Sequence, residues 1–423
     1  MSRPPAVRPW TAPTAQCPLE ARVRLPGSKS ATARSLVLAS LAQSPSRLEQ
    51  PLRARDSDLM VAALRQLGTR IDQSDPAAWT IQPMTEVRPG QTVDCGLAGT
   101  VMRFLPALAA LASGETRFVG DGPATARPLA GLLDGLRQLG AEIDSDRLPF
   151  TLTGPVDGGR AVIDASPSSQ FVSGLLLAGA SFPAGLELRH QGGPIPSQPH
   201  IAMTVQALAA RGVAVERPDR TTWRVAPGAI QGRHEVIEPD LTTAAVFLAA
   251  ALVAGGSVGL PDWPSQSDQP GWAAPQLLSR FGGSWRLDQG CWTMTGDGQL
   301  SGAEFDLTDF SELTCVVAAL ACLATGPSTI RGVGHIRGHE TNRLAALSSQ
   351  LSGLGADCRE TADGLTIRPA HLHGGLFRTF EDHRLAHAAA LIGLRQTGVE
   401  LDDVAVVSKT MPDFVTVWQG LLP

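Results

Sequence analysis

The chain has 423 residues, a formal net charge of −5 and a hydrophobic fraction of 43%. This length allows two or three domains with substantial cores, and the negative charge argues against a nucleic-acid-binding face. The six cysteines show neither CxxC spacing nor a disulfide-dense pattern, which indicates a reducing compartment. Residues 1–24 contain no apolar core of a signal peptide, and the longest apolar runs are too short to span a bilayer. We therefore expect a cytoplasmic protein without a membrane segment.

A repeat of 70 to 73 residues runs along the chain. The segment Leu64–Gly68 recurs verbatim as Leu136–Gly140, and two series of glycines continue the same spacing. We interpret both series as helix ends, where glycine supplies a positive φ. Six units fit into the chain. The first series is Gly68, Gly140, Gly212, Gly282 and Gly355, and the second is Gly114, Gly185, Gly256, Gly326 and Gly398.

Each unit combines two apolar helices with short β-branched strands. Residues 79–82, 116–119, 329–331 and 365–368 are typical of these strands, and polar loops open the helices. This alternation predicts an α/β fold. Six units divide naturally into two domains of three, with a boundary near 236–240.

Candidate functional side chains recur in the loops that enter the helices. Helix N-termini carry partial positive charge and unpaired N–H groups, so they attract anions. Ordinary helix capping is the alternative interpretation, because serine, threonine and acids are also favoured there. The segments are Leu25–Arg34, Gly96–Arg103, Arg127, Ser166–Gln170, Ser197, Glu312, His339–Arg343, Asp382–Arg384 and Lys409–Asp413.

Lysine is almost absent from the chain. Only Lys29 and Lys409 are present beside 33 arginines, which is the 35 basic residues less the two lysines. Lysine differs from arginine in carrying a compact ammonium group that can release a proton. Lys29 lies in a segment that superficially suggests a P-loop, but the required upstream glycine is missing. We interpret Lys29 and Arg34 as phosphate or carboxylate ligands.

The histidines do not predict a metal site. In the segment His339–Arg343 an arginine occupies the second histidine position of an HExxH motif, and His371 with His373 forms an isolated HxH pair in a predicted loop. We expect neither a metal nor an organic cofactor.

Taken together, these segments resemble the EPSP synthase (3-phosphoshikimate 1-carboxyvinyltransferase) family of enolpyruvyl transferases. The motifs LPGSKS at 25–30, AGT with Arg103, SSQ at 168–170, HETNR at 339–343, DHR at 382–384 and KTMPD at 409–413 occur in the family's order. The resemblance implies two domains of three βαβαββ repeats each, an inverse α/β barrel fold joined by two crossovers. It places residues 1–24 and 238–423 in one domain, residues 25–237 in the other, and the active site in the cleft between them.

The resemblance also implies the reaction and its ligands. An enolpyruvyl group would pass from phosphoenolpyruvate to the 5-hydroxyl of shikimate 3-phosphate, with both small molecules bound by a monomer. Glu312 would be the base, and Glu340 helped by Lys29 would protonate the methylene carbon. Shikimate 3-phosphate would be held by Lys29, Ser30, Arg34, Ser168, Ser169, Gln170, Ser197, Glu312 and His339. Phosphoenolpyruvate would be held by Lys29, Gly99, Arg127, Gln170, Arg343, Arg384 and Lys409.

Several positions depart from the family pattern. Glu312 stands where many members carry Asp, and His339 stands where many carry Lys. Because neutral histidine is common near pH 7, His339 predicts a weaker substrate contact. Ala33, Leu97 and Asn342 also depart from the pattern, which puts fine positioning in doubt but not the reaction class. His200 replaces an aromatic residue that is common beside the ring site.

Two alternatives remain at this stage. The sister enzyme that transfers enolpyruvate to a UDP-sugar typically has a Lys-Asn pair and a catalytic cysteine near Arg127, whereas this chain has Lys29-Ser30 and no cysteine in residues 124–127. The other alternative is a non-catalytic anion-binding paralogue, against which Lys29, Glu312, Glu340 and Arg384 argue.

Overall fold

The computed structural model describes residues 9–422, which form two compact units. One is continuous and contains residues 26–238; the other is discontinuous and combines the described residues up to Leu25 with those from Pro239 onward. A proline stands at each junction, Pro26 and Pro239, one residue after the expected boundaries. Residues 1–8 of the expected segment 1–24, and Pro423, lie outside the described residues.

Two strands precede the first junction, β1 (Trp10–Thr11) and β2 (Leu19–Arg22). The continuous unit then contains three repeats of strands and helices. Its elements are α1 (Lys29–Ser40), β3 (Ser46–Glu49), α2 (Arg55–Leu67), β4 (Arg70–Asp72), β5 (Ala78–Gln82), β6 (Gln91–Asp94), α3 (Gly99–Ala109), β7 (Glu115–Val119), α4 (Ala130–Gln138), β8 (Glu142–Ile143), β9 (Phe150–Thr153), β10 (Gly159–Ile163), α5 (Gln170–Gly179), β11 (Leu186–His190), α6 (Pro199–Ala209), β12 (Val215–Asp219), β13 (Thr222–Val225) and β14 (His234–Val236), with a 3-10 turn at Gly122–Ala126.

The discontinuous unit resumes after Pro239 with the remaining repeats. Its elements are α7 (Leu241–Ala254), β15 (Gly256–Leu260), α8 (Ala274–Leu278), β16 (Ser284–Asp288), β17 (Cys291–Gly296), β18 (Glu304–Asp306), α9 (Thr314–Leu323), β19 (Ser328–Arg331), α10 (Arg343–Gly353), β20 (Asp357–Glu360), β21 (Leu365–Arg368), β22 (Gly375–Phe377), α11 (His383–Gly393), β23 (Val399–Leu401) and α12 (Phe414–Gln419). Its 3-10 turns are Pro270–Ala273, Ser279–Phe281, Ser311–Leu313, Gly334–Gly338 and Ala405–Lys409.

The part of the chain that the structure describes contains six small sheets, which correspond to the six sequence units. In five of them a parallel pair is extended by two antiparallel strands, in the orders β14-β3-β5-β4, β6-β7-β9-β8, β10-β11-β13-β12, β2-β15-β17-β16 and β18-β19-β21-β20. The sixth, β22-β23-β1, has three strands, and its third strand comes from near the N-terminus of the chain. The sixth repeat is therefore shorter than the expected βαβαββ unit.

The strand that precedes each junction pairs within the unit that the chain is about to leave. Strand β2 pairs in parallel with β15, with Leu19 opposite Gly256, although the helix that follows it, α1, belongs to the continuous unit. Strand β14 pairs in parallel with β3, with His234 opposite Arg47, although the helix that follows it belongs to the discontinuous unit. Each of these two strands completes a four-stranded sheet of its own unit, which anchors the chain just before the junction.

The first helix of every repeat lies at the centre of its unit. Helices α1, α3 and α5 contact one another, as do α7, α9 and α11, and nearly every residue of these helices is buried. A helix that is apolar on all sides belongs in a core, and the sheets lie outside these triplets. This arrangement is the expected inverse barrel, with helices inside and strands outside. None of the helices within residues 9–422 has the length and apolar character needed to cross a bilayer.

The two glycine series occupy different positions relative to the helices and strands. Nine of the ten glycines have the expected positive φ, and Gly326 is the exception. The first series ends helices. Gly140, for example, donates its N–H to the Arg137 carbonyl, and Ala141 donates to the Leu136 carbonyl, which is the Schellman arrangement. The second series was also expected to end helices, but its members stand at the start of the next strand, as Gly185 does before β11.

Candidate active site

The expected ligand-binding residues of the continuous unit stand at helix starts. Lys29, Gly99 and Gln170 are the first residues of the three central helices. Ser28 caps α1 by accepting a hydrogen bond from the Ala31 N–H at 3.3 Å. Since these helices contact one another, the repeat symmetry brings their functional side chains into one neighbourhood of the unit.

Arg34 is a buried cation, 2% exposed, that no carboxylate within residues 9–422 contacts. Its guanidinium donates to Thr204 Oγ1 at 2.8 Å, to the His200 carbonyl at 2.8 Å and to the Ser30 carbonyl at 2.9 Å. Burial lowers the pKa of Arg34 to about 9. A buried cation of this kind gains stability when an anion binds beside it.

Arg127 lies over the backbone of the second repeat. Its Nη1 donates to the Leu97 carbonyl at 2.9 Å, and its buried Nε has no hydrogen-bond partner within the described residues. A methyl group at Gly99 would lie 2.9 Å from Arg127 Nη2 and 3.4 Å from Arg103 Nη1. A side chain at position 99 would therefore displace the two guanidinium groups that approach the backbone there.

Polar groups from the third repeat surround the start of α5. Gln170 Oε1 accepts a hydrogen bond from Arg103 Nη1 at 2.9 Å, and Ser168 Oγ accepts from the Gln170 N–H at 3.3 Å. Ser169 is buried, and so is Ser197, whose φ of 51° is unusual for a residue other than glycine. These side chains supply hydroxyl and amide donors in addition to the cations.

Lys29 has an acidic partner that the sequence did not reveal. Its Nζ lies 3.5 Å from Asp56 Oδ2, and the Asp56 side chain is only 3% exposed. Asp56 lies in the first turn of α2, where an acid is ordinarily favoured by the helix dipole. Because the helix dipole already accounts for an acid at position 56, the sequence offers no reason to pair Asp56 with Lys29, which lies 27 residues away.

In the discontinuous unit, four charged residues form one buried network. Arg343 donates to Asp382 Oδ2 at 2.6 Å and to Glu340 Oε2 at 2.6 Å, and Lys409 Nζ donates to Glu340 Oε1 at 3.0 Å. Together the two carboxylates raise the pKa of Arg343, although burial alone would lower it. Glu340 accepts from two cations, which is the geometry of an ionised carboxylate.

His339 accepts a hydrogen bond from this network as a neutral ring. Its Nδ1 lies 2.8 Å from Arg343 Nη1. Because a guanidinium can only donate, Nδ1 accepts and the ring proton is on Nε2. Desolvation, followed by the Arg343 charge, holds the pKa of His339 well below its ordinary value, although Glu340 and Glu312 oppose the shift. The His339 position therefore offers one neutral N–H where many family members offer an ammonium group.

Glu312 lies in the 3-10 turn that leads into α9, and one of its carboxylate oxygens is buried. It is close enough to act electrostatically on His339 and on His335. Sequence reasoning missed His335, whose pKa is lowered by burial and by Arg343 and raised in part by Glu312. The 3-10 turn that carries His335 gave no distinctive sequence signal.

Arg384 completes the cationic set of this unit. Its backbone N–H donates to Asp382 Oδ1 at 2.9 Å, while its guanidinium has no hydrogen bond or ion pair with residues 9–422. Within the same described range, no group of three or more His, Cys, Asp or Glu side chains is arranged to hold a metal ion.

Three of the four remaining departures from the family pattern act through the backbone or as a cap. The Leu97 carbonyl binds Arg127, and the His200 carbonyl binds Arg34. Asn342 caps α10 by accepting from the Ala345 N–H at 3.2 Å, as an aspartate could. Ala33 is buried in the core. The contacts seen at these four positions thus do not need the more common side chain.

The fold is that of the enolpyruvyl transferases. EPSP synthase from Acinetobacter baumannii is similar over 97% of both chains, with a TM-score of 0.78 and 21% sequence identity. The enolpyruvyl transferase NikO from Streptomyces tendae is similar over 96% of both chains, with a TM-score of 0.75 and 19% identity. The predicted fold class is therefore confirmed.

Sequence comparison then identifies the family. The model of the EPSP synthase (3-phosphoshikimate 1-carboxyvinyltransferase) family matches residues 13–418. The 3-phosphoshikimate 1-carboxyvinyltransferase of Kocuria rhizophila is 49% identical, covering 98% of this chain and 96% of that protein. The same-named protein of Mycobacterium ulcerans is 49% identical, covering 99% and 98%. The chain belongs to the EPSP synthase family, which confirms the resemblance inferred from its motifs.

Proposed function

We propose that this enzyme transfers the enolpyruvyl group of phosphoenolpyruvate to the 5-hydroxyl of shikimate 3-phosphate and releases phosphate. The observation that carries the proposal is full-length similarity, at 49% identity, to relatives named for this activity. The side chains fit the chemistry, because the two substrates together carry two phosphates and two carboxylates. The cations Arg34, Arg127 and Arg384 have no carboxylate partner within residues 9–422 and can neutralise these anions.

We assign the two ligands to side chains from both units. Arg34, Ser30, Ser168, Ser169 and Ser197 would bind shikimate 3-phosphate, with His339 and Glu312 added from the discontinuous unit. Phosphoenolpyruvate would be held by Gly99 and Arg127 from the continuous unit and by Arg343, Arg384 and Lys409 from the discontinuous one. Lys29 and Gln170 would contact both ligands. Binding by both units would orient the reactants and exclude water.

The proton transfers follow from the carboxylates. The 5-hydroxyl oxygen of shikimate 3-phosphate would attack C2 of phosphoenolpyruvate while Glu312 accepts the hydroxyl proton. Glu340, helped by Lys29, would donate a proton to the methylene carbon. The resulting tetrahedral intermediate expels phosphate, and loss of a methyl proton to Glu340 restores the double bond. Glu340 is held as a carboxylate by Arg343 and Lys409. We propose that phosphoenolpyruvate takes the place of Glu340 on these two cations. The Glu340 carboxylate can then bind the proton that it later donates to the methylene carbon.

The alternatives are less well supported. Residues 124–127 contain no cysteine, and Lys29 is followed by serine, so the features of the UDP-sugar enzyme are missing. A non-catalytic paralogue would not need Glu312 and Glu340 beside histidine and arginine side chains. We further propose that the enzyme acts in the cytoplasm as a monomer, without a metal or organic cofactor. Sedimentation at assay concentrations would test the monomer.

A phosphate-release assay tests the reaction. Phosphoenolpyruvate is supplied alone, with shikimate 3-phosphate, or with a UDP-sugar acceptor. We expect steady release only with shikimate 3-phosphate. Turnover with the UDP-sugar would replace the substrate assignment, and binding of both ligands without release would establish the non-catalytic alternative. Treating the enzyme with a chelator before the assay should leave the rate unchanged.

A further inference from the structure

Arg103 is a buried arginine that belongs to a family motif but is not among the residues assigned to either ligand. It lies on α3, is 3% exposed, and has its guanidinium carbon 5.7 Å from the centre of the Phe171 ring. Its Nη1 donates to Gln170 Oε1 at 2.9 Å, and its Nη2 donates to the Pro128 carbonyl at 3.2 Å. The Arg103 side chain thus binds both Gln170, the first residue of α5, and Pro128, the residue that follows Arg127.

The chemistry of this contact fixes the orientation of the Gln170 amide. A glutamine side chain has an acceptor oxygen and a donor nitrogen, and the two are easily exchanged by rotation. A guanidinium can only donate, so the oxygen must face Arg103 and the NH₂ group must face away from it. Within residues 9–422 this NH₂ group has no hydrogen-bond partner, and Gln170 is only half-buried. Two donors are therefore available to a ligand.

The second contact acts on Arg127. Pro128 directly follows Arg127, so the hydrogen bond to its carbonyl restrains the backbone from which that side chain extends. Arg103 Nη1 and Arg127 Nη2 also approach the same point, since a methyl group at Gly99 would lie 3.4 Å from one and 2.9 Å from the other. Their shared location favours an anion near the start of α3.

We propose that Arg103 is a positioning residue for the reaction. It does not need to touch a substrate; it turns the donors of Gln170 toward the ligands and holds Arg127 in place. The inference rests on the proposed function, because Gln170 and Arg127 are ligand-binding residues only if that function is correct. Loss of Arg103 should free the Gln170 amide to rotate and raise KM for phosphoenolpyruvate more than it lowers kcat.

A double-mutant cycle tests this role. The variants are Arg103→Met, Gln170→Ala and the double variant, with kcat and KM measured for both substrates. Arg53→Met is the matched control, because Arg53 also donates to a backbone carbonyl, that of Pro76 at 3.0 Å, and lies 5.5 Å from an aromatic ring, that of Trp79. Arg103→Lys retains one possible donor to Gln170 and tests rescue by a conservative change.

We expect Arg103→Met to lower kcat/KM for phosphoenolpyruvate by about 10- to 100-fold, the range for a lost hydrogen bond to a charged group. In the Gln170→Ala background the same change should lower kcat/KM by less than about threefold. Arg103→Lys should recover part of the loss, and the control Arg53→Met should leave kcat/KM unchanged. Full additivity in the cycle would overturn the proposal, because Arg103 would then act independently of Gln170. If Arg103→Met does not fold, the cycle is run with Arg103→Lys. An inactive wild-type enzyme would refute the proposed function instead.

Discussion

The two lysines of this chain have different electrostatic environments. Lys29 lies beside a buried carboxylate, that of Asp56, at 3.5 Å. Lys409 shares Glu340 with Arg343, so it belongs to a cluster of charges that holds its ammonium group in place. An ammonium group at either position can bind an anion, and the family resemblance gives only Lys29 a part in proton transfer. We therefore assign proton transfer to Lys29 and binding to Lys409.

Replacing each lysine with arginine separates these roles. Arginine keeps the positive charge but has too high a pKa to release a proton. We expect Lys29→Arg to lower kcat by at least about 100-fold, the lower end of the range for general acid–base catalysis. Lys409→Arg should retain a measurable fraction of kcat with a higher KM for phosphoenolpyruvate. Steady-state phosphate release measures both, and equal losses of kcat would rule out proton transfer by Lys29.

Glu312→Gln tests the base. The amide keeps the size of the side chain but cannot take the hydroxyl proton, so kcat should fall by about 10² to 10⁴ while both ligands bind almost normally. Equilibrium binding and single-turnover rates distinguish the two effects. Glu304→Gln, which changes an exposed carboxylate near the start of the same repeat, is the control. An unchanged kcat in Glu312→Gln would remove Glu312 as the base.

At the scale of elements, the four strand segments named from the sequence agree with the structure to within one residue at each end. Residues 116–119 form β7 with one extra residue, Glu115, and residues 365–368 form β21 as expected. The helix starts were predictable because caps and glycines are local signals. The contacts of Asp56, Arg103 and His335 were not, because each depends on a partner brought close only by tertiary packing. The second glycine series was misinterpreted since a positive φ suits a strand entry as well as a helix end.

Two glycine substitutions should separate a backbone role from a ligand-binding role. Gly140 has a φ of 111°, and a methyl group there would meet no atom closer than 3.8 Å, so Gly140→Ala strains only the backbone. We expect a loss of about 1–2 kcal/mol in unfolding free energy with normal KM. Gly99 does not have a positive φ, but a methyl group there would lie only 2.9 Å from Arg127 Nη2 and would displace that side chain. Gly99→Ala should raise KM for phosphoenolpyruvate with little change in melting temperature; the reverse pattern would refute both assignments.

At the scale of the whole molecule, the sequence revealed six units but not which strand completes each sheet. Strand β14 pairs with residues 187 positions earlier in the chain, His234 with Arg47, and β1 pairs with β23 at the opposite end. Pairings of this length leave no local trace, because hydrophobic patterns specify a strand but not its neighbour. Only the family resemblance suggested a discontinuous domain.

Global stability should decline in acid partly because of His387. Burial, then Arg384 and Arg343, lower its pKa from 6.5 to about 3. The unfolded chain therefore binds a proton that the folded chain does not, so this contribution to stability is complete above pH 6.5 and is lost as the pH falls toward 3. His387→Leu should reduce the slope of unfolding free energy against pH by up to about 1.4 kcal/mol per pH unit in this window.

Chemical denaturation between pH 4 and pH 7 measures this slope. His373→Leu, at an exposed position of the same unit, is the control and should leave the slope unchanged. Burial also lowers the pKa of His335, so some acid sensitivity should persist in His387→Leu. If the slope of unfolding free energy against pH is the same in His387→Leu as in the wild-type protein, His387 does not contribute to the acid sensitivity.

The fate of the bridging oxygen of phosphoenolpyruvate decides whether an enolpyruvyl or a phosphoryl group is transferred. The proposed addition and elimination break the bond between carbon and this oxygen, so an ¹⁸O label placed there should appear in the released phosphate. Mass spectrometry should also detect shikimate 3-phosphate enlarged by one enolpyruvyl group in place of a hydrogen. Label retained in pyruvate, together with an acceptor that has gained a second phosphate, would show that Glu312, Glu340 and Lys29 serve a different reaction.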